Sequence, residues 1–395
     1  MKKIIFVLLI FVCQKTYSIV DNNFLIPIGS VEGITGNTGI ARLGSIGSVI
    51  YNPAGLAFSK DKKISIAGSA YTQNSITIDN QVLKKDISFF QSTPSQVTTV
   101  FNKFGFAFAF SVLVPKAFKL DFNIDQKDPI YNSYIDFETE EAYFGPTVSK
   151  KFSSNFAIGI SLFYVKKSEN LTSNEFNYTD EFNYSQRFET LKISGNTLMA
   201  SLGLTYLFSP RIILGFKFST PQINLSSKFT QSYSISETEN GEPGLWLDFI
   251  EEGDAYLTSP AEIALGLQFR FSDRFKLLTD FAYHFGKKST TIDYTVYDDK
   301  MEKEYLASSR VHIGAEYRFS NNESINFGAQ YNQKNSDDSF DFFGFQAGYR
   351  KKEEIADSLI GIFVNKNIAK READGMKIDY LMAGLYLSTS INFIK

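Results

Sequence analysis

The sequence predicts an all-β protein, a transmembrane antiparallel β-barrel of about fourteen strands with an N-terminal segment plugging its lumen. Three observations carry this. After residue 60, apolar and polar residues alternate with a period of two, as strands with two unlike faces require. The breaks between alternating runs are by turns short and long, the pattern of outer-membrane barrels with tight periplasmic turns and larger outer loops. The 39 Phe and 21 Tyr sit among enough polar residues to bring mean hydropathy slightly below zero, so the oil is dispersed rather than gathered in membrane helices.

From the N-terminus, MKKIIFVLLIFVC places two lysines before an apolar run, and Thr16-Tyr17-Ser18 follows as a cleavage site. Residues 1–18 therefore read as a signal peptide. Its apolar run is too short to span a bilayer as a helix. With it goes Cys13, the one cysteine, which leaves no disulfide framework, thiol nucleophile or cysteine metal site.

Residues 19–60 lack sustained alternation and carry Gly33, Gly36, Gly39, Gly44 and Gly47 before the turn Tyr51-Asn52-Pro53-Ala54-Gly55. A phosphate cradle needs Gly-Lys-Ser/Thr or a preceding buried strand, and neither is present. These residues read as compact coil, with Asn52-Pro53 as turn punctuation. A fourteen-stranded barrel encloses more space than side chains fill, so this segment is the expected plug.

Residues 61–395 form the expected barrel. In AEIALGLQFRF, Ile263, Leu265, Leu267, Phe269 and Phe271 share one face, while Glu262, Gly266, Gln268 and Arg270 share the other. GFAFAFSVLV and VHIGAEYRF divide in the same way. Short breaks are expected at Asn102-Lys103, 153–155, 209–210, 272–274, 321–322 and 351–357. Long polar segments lie near 116–135, 168–187, 230–255, 287–304, 333–340 and 366–375.

GNTGIARLGSIGSVIYNPAGLAF, followed by LTSPAEIALGLQFRFSDRFKLLTDFAY, resembles the FadL-type outer-membrane transporters of long-chain fatty acids and other hydrophobic compounds. The resemblance implies a fourteen-stranded barrel with an N-terminal hatch that includes Asn52, Pro53 and Ala54, with Gly55 permitting the bend into the wall. It also implies ligand capture by the third and fourth outer loops, a ligand-biased hatch movement, and lateral release where a wall strand is kinked. Pro115 and Pro146 are candidates for that kink, since proline interrupts a ladder.

In the fourth loop, Leu245, Trp246, Phe249 and Ile250 fall at helical spacing, giving a short amphipathic turn that serves either as a ligand ledge or as rim packing. Phe176 and Tyr178 are the third-loop counterparts. Alternation puts Arg270, Glu262, Asp280, Glu316 and Arg318 on the inner face, where charge is tolerated. With Arg42 they either hold the hatch or line a wet pore. His284 and His312 could face each other across neighbouring strands, but no further metal ligands recur at a fixed spacing.

The implied function is passive outer-membrane uptake of a hydrophobic small molecule such as a long-chain fatty acid. A scaffold, secretion or surface-attachment protein of the same fold is the alternative. The net charge of −3 with no basic block argues against a nucleic-acid partner. No Gly-x-Ser-x-Gly elbow suggests an enzyme. A monomer surrounded by outer-membrane lipid, without cofactor or metal, is the expected form.

Overall fold

The structure, a computed structural model, describes residues 26–59, 62–79, 84–127, 130–180, 183–239, 242–294, 299–334, 341–368, 371–373 and 376–393. The expected signal peptide lies outside the described residues. The strands in chain order are β1 (Lys63–Asp79), β2 (Lys84–Lys103), β3 (Phe106–Lys127), β4 (Ile130–Lys151), β5 (Phe156–Asp180), β6 (Asn183–Leu207), β7 (Ile212–Ser219), β8 (Ile223–Glu239), β9 (Glu242–Asp254) and β10 (Glu262–Arg270). They continue with β11 (Phe275–His284), β12 (Lys287–Tyr294), β13 (Asp299–Tyr305), β14 (Ser308–Arg318), β15 (Glu323–Asn332), β16 (Phe342–Lys352), β17 (Ala356–Asn367), β18 (Arg371–Ala373) and β19 (Met376–Asn392).

Fourteen of these close a ring. The ladder runs from β1 to β7, then through β10, β11, β14, β15, β16, β17 and β19, and β19 pairs back onto β1. All of these pairings are antiparallel, and the closed ring leaves no unpaired edge facing lipid. The β8–β9 hairpin adds to the upper part of β6, while β12–β13 form a separate two-stranded sheet.

Period-two alternation decides the faces. On β10, Glu262, Ala264 and Gln268 are buried, while Leu265 and Leu267 are 58% and 40% exposed. The leucines point away from the protein interior, the reverse of a soluble barrel. Phe110, Ile160, Leu214, Ile313, Phe345 and Ile362 continue this apolar outer band. At the short-turn end, exposed Phe104, Phe152, Phe208, Phe271 and Phe319 form an aromatic girdle, which marks this as the periplasmic rim.

Two expectations about connections need correcting. The first turn falls at Phe104-Gly105, both at positive φ (54° and 76°), because that pairing matches strand twist, and not at Asn102-Lys103. The polar segments near 116–135 and 168–187 are largely ladder, since β3 to β6 are 22 to 25 residues long. Their alternation continues in Thr, Ser, Tyr and Asn, whose cross-strand pairing sustains a strand without an oily face.

Residues 26–59 lie inside the ring. They turn repeatedly, with positive φ at Gly29, Gly36, Asn37 and Gly44, and contain helical turns at Val31–Ile34, Ser48–Tyr51 and Pro53–Phe58. Their apolar side packs Ile28, Ile46, Val49, Ile50 and Leu56 with Val100, Leu113, Tyr143, Phe163, Val165 and Met199 of β2 to β6. Their polar side meets β10 to β15.

Candidate functional site

Where the N-terminal segment meets the wall, backbone touches backbone. A Cβ placed on Gly328 would overlap Gly36, one on Gly215 would overlap Ile40, and one on Gly159 would overlap Pro53. Gly314 meets the Thr35 carbonyl in the same way, while Gly203 and Gly266 leave room for the side chains of Asn52 and Ile40. Glycine is needed at these wall positions for close approach.

Charged and polar side chains secure the contact. Asp280 accepts from the backbone N–H of Gly39 (2.6 Å) and Ile40 (3.0 Å). Arg42 reaches Glu316 at 3.3 Å, donates to Thr35 Oγ1 at 3.0 Å, and lies 3.8 Å from Glu32. Glu316 also holds Lys276 and Arg318, each at 2.9 Å. Arg42, Asp280 and Glu316 thus make contacts between the segment and the wall. Glu262 belongs to a wall network with Lys217 (2.8 Å), His284 (2.9 Å) and Arg310. Arg270 lines the periplasmic mouth.

Asn52 joins both bodies. Its amide nitrogen donates to Ile40 O (2.7 Å), Leu204 O (3.0 Å) and Thr205 Oγ1 (3.1 Å), and its oxygen caps the next turn by accepting from Ala54 N. Pro53 takes the first position of that turn, where its missing N–H costs nothing. Gly55 has no positive φ. It is small because Arg42 O and Ser48 Oγ press against it, so close approach replaces the expected bend. Burial pushes the Tyr51 phenol well above its ordinary range, keeping its single O–H available to Asn37 Oδ1 (3.0 Å) and Ile28 O (3.2 Å), which share it.

The histidines do not face each other. His312 is opposite Asp280 in register and lies between Asn37 O and Asn332 Oδ1, whereas His284 is opposite Ser308. Their separation of four positions along one ladder puts them at different heights.

Above the segment, buried Phe118, Phe137, Phe342 and Tyr380 meet across the lumen. Ring centroids lie 6.2 Å apart for Phe118–Phe137, 6.1 Å for Phe118–Tyr380 and 5.7 Å for Phe342–Tyr380. Tyr380 is anchored by its hydroxyl to Asn74 of β1 (2.7 Å). Beside this cluster the wall divides. The β2–β3 ladder runs from Lys103↔Phe106 to Gln96↔Leu113 and stops. Beyond that point, among the described residues, β2 pairs with β1 and β3 with β4. Continued register would set Pro94 opposite Pro115, and two residues without N–H cannot exchange ladder bonds. A register shift between Leu113 and Lys116 bends β3 away at the same height. Pro115 is thus at the division, while Pro146 sits within the β3–β4 ladder opposite Phe110.

The fourth-loop segment is strand β9, not a helical turn. Pairing with β8 outweighs local 3.6-residue spacing, since Trp246-Leu247-Asp248-Phe249-Ile250 serves either period. The pleat separates the four candidates: Phe249 packs on Tyr233 (5.4 Å), while Trp246 and Ile250 stand on the opposite face, 79% and 70% exposed. Leu245 is half exposed, beside the register shift between Ser236 and Thr238. Phe176 stacks on Tyr178 and Tyr184, and shares a cross-strand row with Gln186, Ser236 and Trp246.

Sequence reasoning missed Glu32, Lys217, Pro94 and the aromatic cluster. Lys217 was accessible through the alternation of Gly215 and Lys217, and Pro94 as a proline inside a run. Glu32 has no periodic signal. Phe118, Phe137, Phe342 and Tyr380 come together through closure of the ring.

An oily outer band, an aromatic girdle, a filled lumen and a divided wall define a plugged transmembrane channel. Residues 30–340 match the family described as outer membrane protein transport protein (OMPP1/FadL/TodX). The chain belongs to this family, one of transport proteins of the outer membrane. Similar solved structures include the Pseudomonas putida toluene transporter TodX (TM-score 0.71, 15% identity, 93% of this chain and 99% of that one). A FadL homologue of Pseudomonas aeruginosa superposes with TM-score 0.68 at 16% identity, covering 94% and 100%. The Ralstonia pickettii toluene transporter TbuX gives 0.67 at 13%, covering 94% and 99%. At these identities the likeness is one of fold. No curated protein matches the chain.

Proposed function

We propose that this protein is a passive channel through which hydrophobic small molecules, including long-chain fatty acids, cross the outer membrane and leave sideways through the wall. The division between β2 and β3 above Gln96 and Leu113 carries the reading. It adjoins the buried aromatic cluster, so a molecule resting there meets an apolar surface on one side and the membrane on the other. An alkyl chain that passes between such surfaces without entering water avoids a cost of about 0.8 kcal/mol for each methylene. The N-terminal segment acts as the hatch. The close seating of its backbone on the wall glycines supports a route around the hatch over its expulsion. Similar structures carry the names toluene transporter and monoaromatic hydrocarbon channel, which supports an uncharged hydrophobic cargo alongside fatty acids.

The test staples the division. Ser95→Cys with Val114→Cys places two thiols where continued register would pair them. Uptake of labelled oleate and toluene is measured in cells with and without the protein, before and after oxidation. Uptake should stop on oxidation and return with reductant. Unchanged uptake in the stapled protein refutes lateral release, and equal uptake without the protein leaves the scaffold alternative.

A further inference from the structure

Beneath the hatch, at the periplasmic rim, a cavity of about 350 Å³ opens between residues 42–46 and the feet of the wall strands. Its charges do not balance. Arg42, Lys276 and Arg318 converge on the single carboxylate of Glu316. Asp357 is taken by Arg350 through two hydrogen bonds of 2.8 and 2.6 Å. Glu32, the remaining carboxylate here, lies 3.8 Å from Arg42, whose Nε has no hydrogen-bond partner. Lys63 donates to Gly44 O at 3.1 Å, and Arg270 and Lys352 complete the cationic lining. The Nε of Arg270 is buried and also without a hydrogen-bond partner.

Among the described residues, seven cations and two carboxylates thus line a recess partly shielded from water, with Glu32 behind Arg42. Such an arrangement is self-repelling until an anion occupies it, and planar guanidinium groups match the paired oxygens of a carboxylate or phosphate. We propose that this cavity is a binding site for an oxyanion, a carboxylate or phosphate group of a small solute arriving from the periplasm. Occupancy would share Arg42 between the solute and Glu316, linking the site to the hatch. The inference is independent of the transported compound.

Full-length protein in non-ionic detergent is titrated calorimetrically with inorganic phosphate, and separately with benzoate, at ionic strength fixed with chloride. Saturable binding of at least one probe is expected, and the responding probe identifies the source chemistry. Arg270→Gln should weaken it at least tenfold, while Arg270→Lys, which keeps the charge, weakens it less than threefold. Lys103→Gln, on the same rim but outside the cavity, should leave it unchanged. Heat-modifiable migration in gels confirms that each variant is folded. Absence of saturable binding for both probes, or unaltered binding in folded Arg270→Gln, overturns the proposal.

Discussion

Asp280→Ala should loosen the hatch without unfolding the barrel. The carboxylate accepts two buried backbone N–H groups, Gly39 at 2.6 Å and Ile40 at 3.0 Å. Hydrogen bonds to a charged group contribute about 1.5–3 kcal/mol each, so losing both costs at most about 6 kcal/mol. Removing the buried carboxylate, whose Oδ1 has no hydrogen-bond partner, returns part of that. A net loss of about 2–4 kcal/mol in seating corresponds to roughly a 30- to 700-fold larger population of displaced hatch. Single-channel recordings in planar bilayers provide the assay, with influx of a bulky hydrophilic antibiotic as the cellular counterpart. Openings rare in the parent should become frequent, and Asp280→Asn, which keeps one acceptor, should fall between. A folded Asp280→Ala barrel with the parent's closed trace would refute the view that these bonds hold the hatch.

Two further substitutions probe other parts of the lumen. Asn52→Ala removes two N–H donors shared among three acceptors, and a cap, for a loss of about 2–3 kcal/mol in hatch seating; limited proteolysis should then cut within residues 26–59 where the parent is resistant. Phe118→Ala empties the centre of the aromatic cluster while leaving the hatch contacts untouched, so uptake of a labelled hydrophobic compound should fall several-fold with conductance unchanged.

The barrel was legible because its faces follow a local rule. Residues two apart share a face, and the leucines of β10 with the glutamate and glutamine on the opposite face report membrane and lumen at once. The inner charges were legible for the same reason, which is why Asp280, Glu316 and Glu262 could be placed from the sequence. Arg42 could be named beside them but not assigned to Glu316, and the Gly39 and Ile40 amides that Asp280 accepts could not be named at all, because they come from a segment with no period. The β9 segment failed for a different reason. Five residues that satisfy both a helix and a strand are decided by whether a partner strand is present, and β8 is that partner. The division in the wall depends on Pro94 and Pro115 being opposite, a relation between two strands that neither states alone.

Unequal strand lengths give the protein a direction that its ring does not. β5 has 25 residues, while β15 has 10. At about 3.3 Å per residue and a tilt near 40°, β5 rises about 60 Å, so with an apolar band about 25 Å tall it stands roughly 35 Å clear of the membrane. The β15 side barely crosses. The result, among the described strands, is a tall back and a low lip: the outer rim slopes, and the long strands carry aromatic groups such as Phe176, Tyr178 and Tyr184 well above the bilayer.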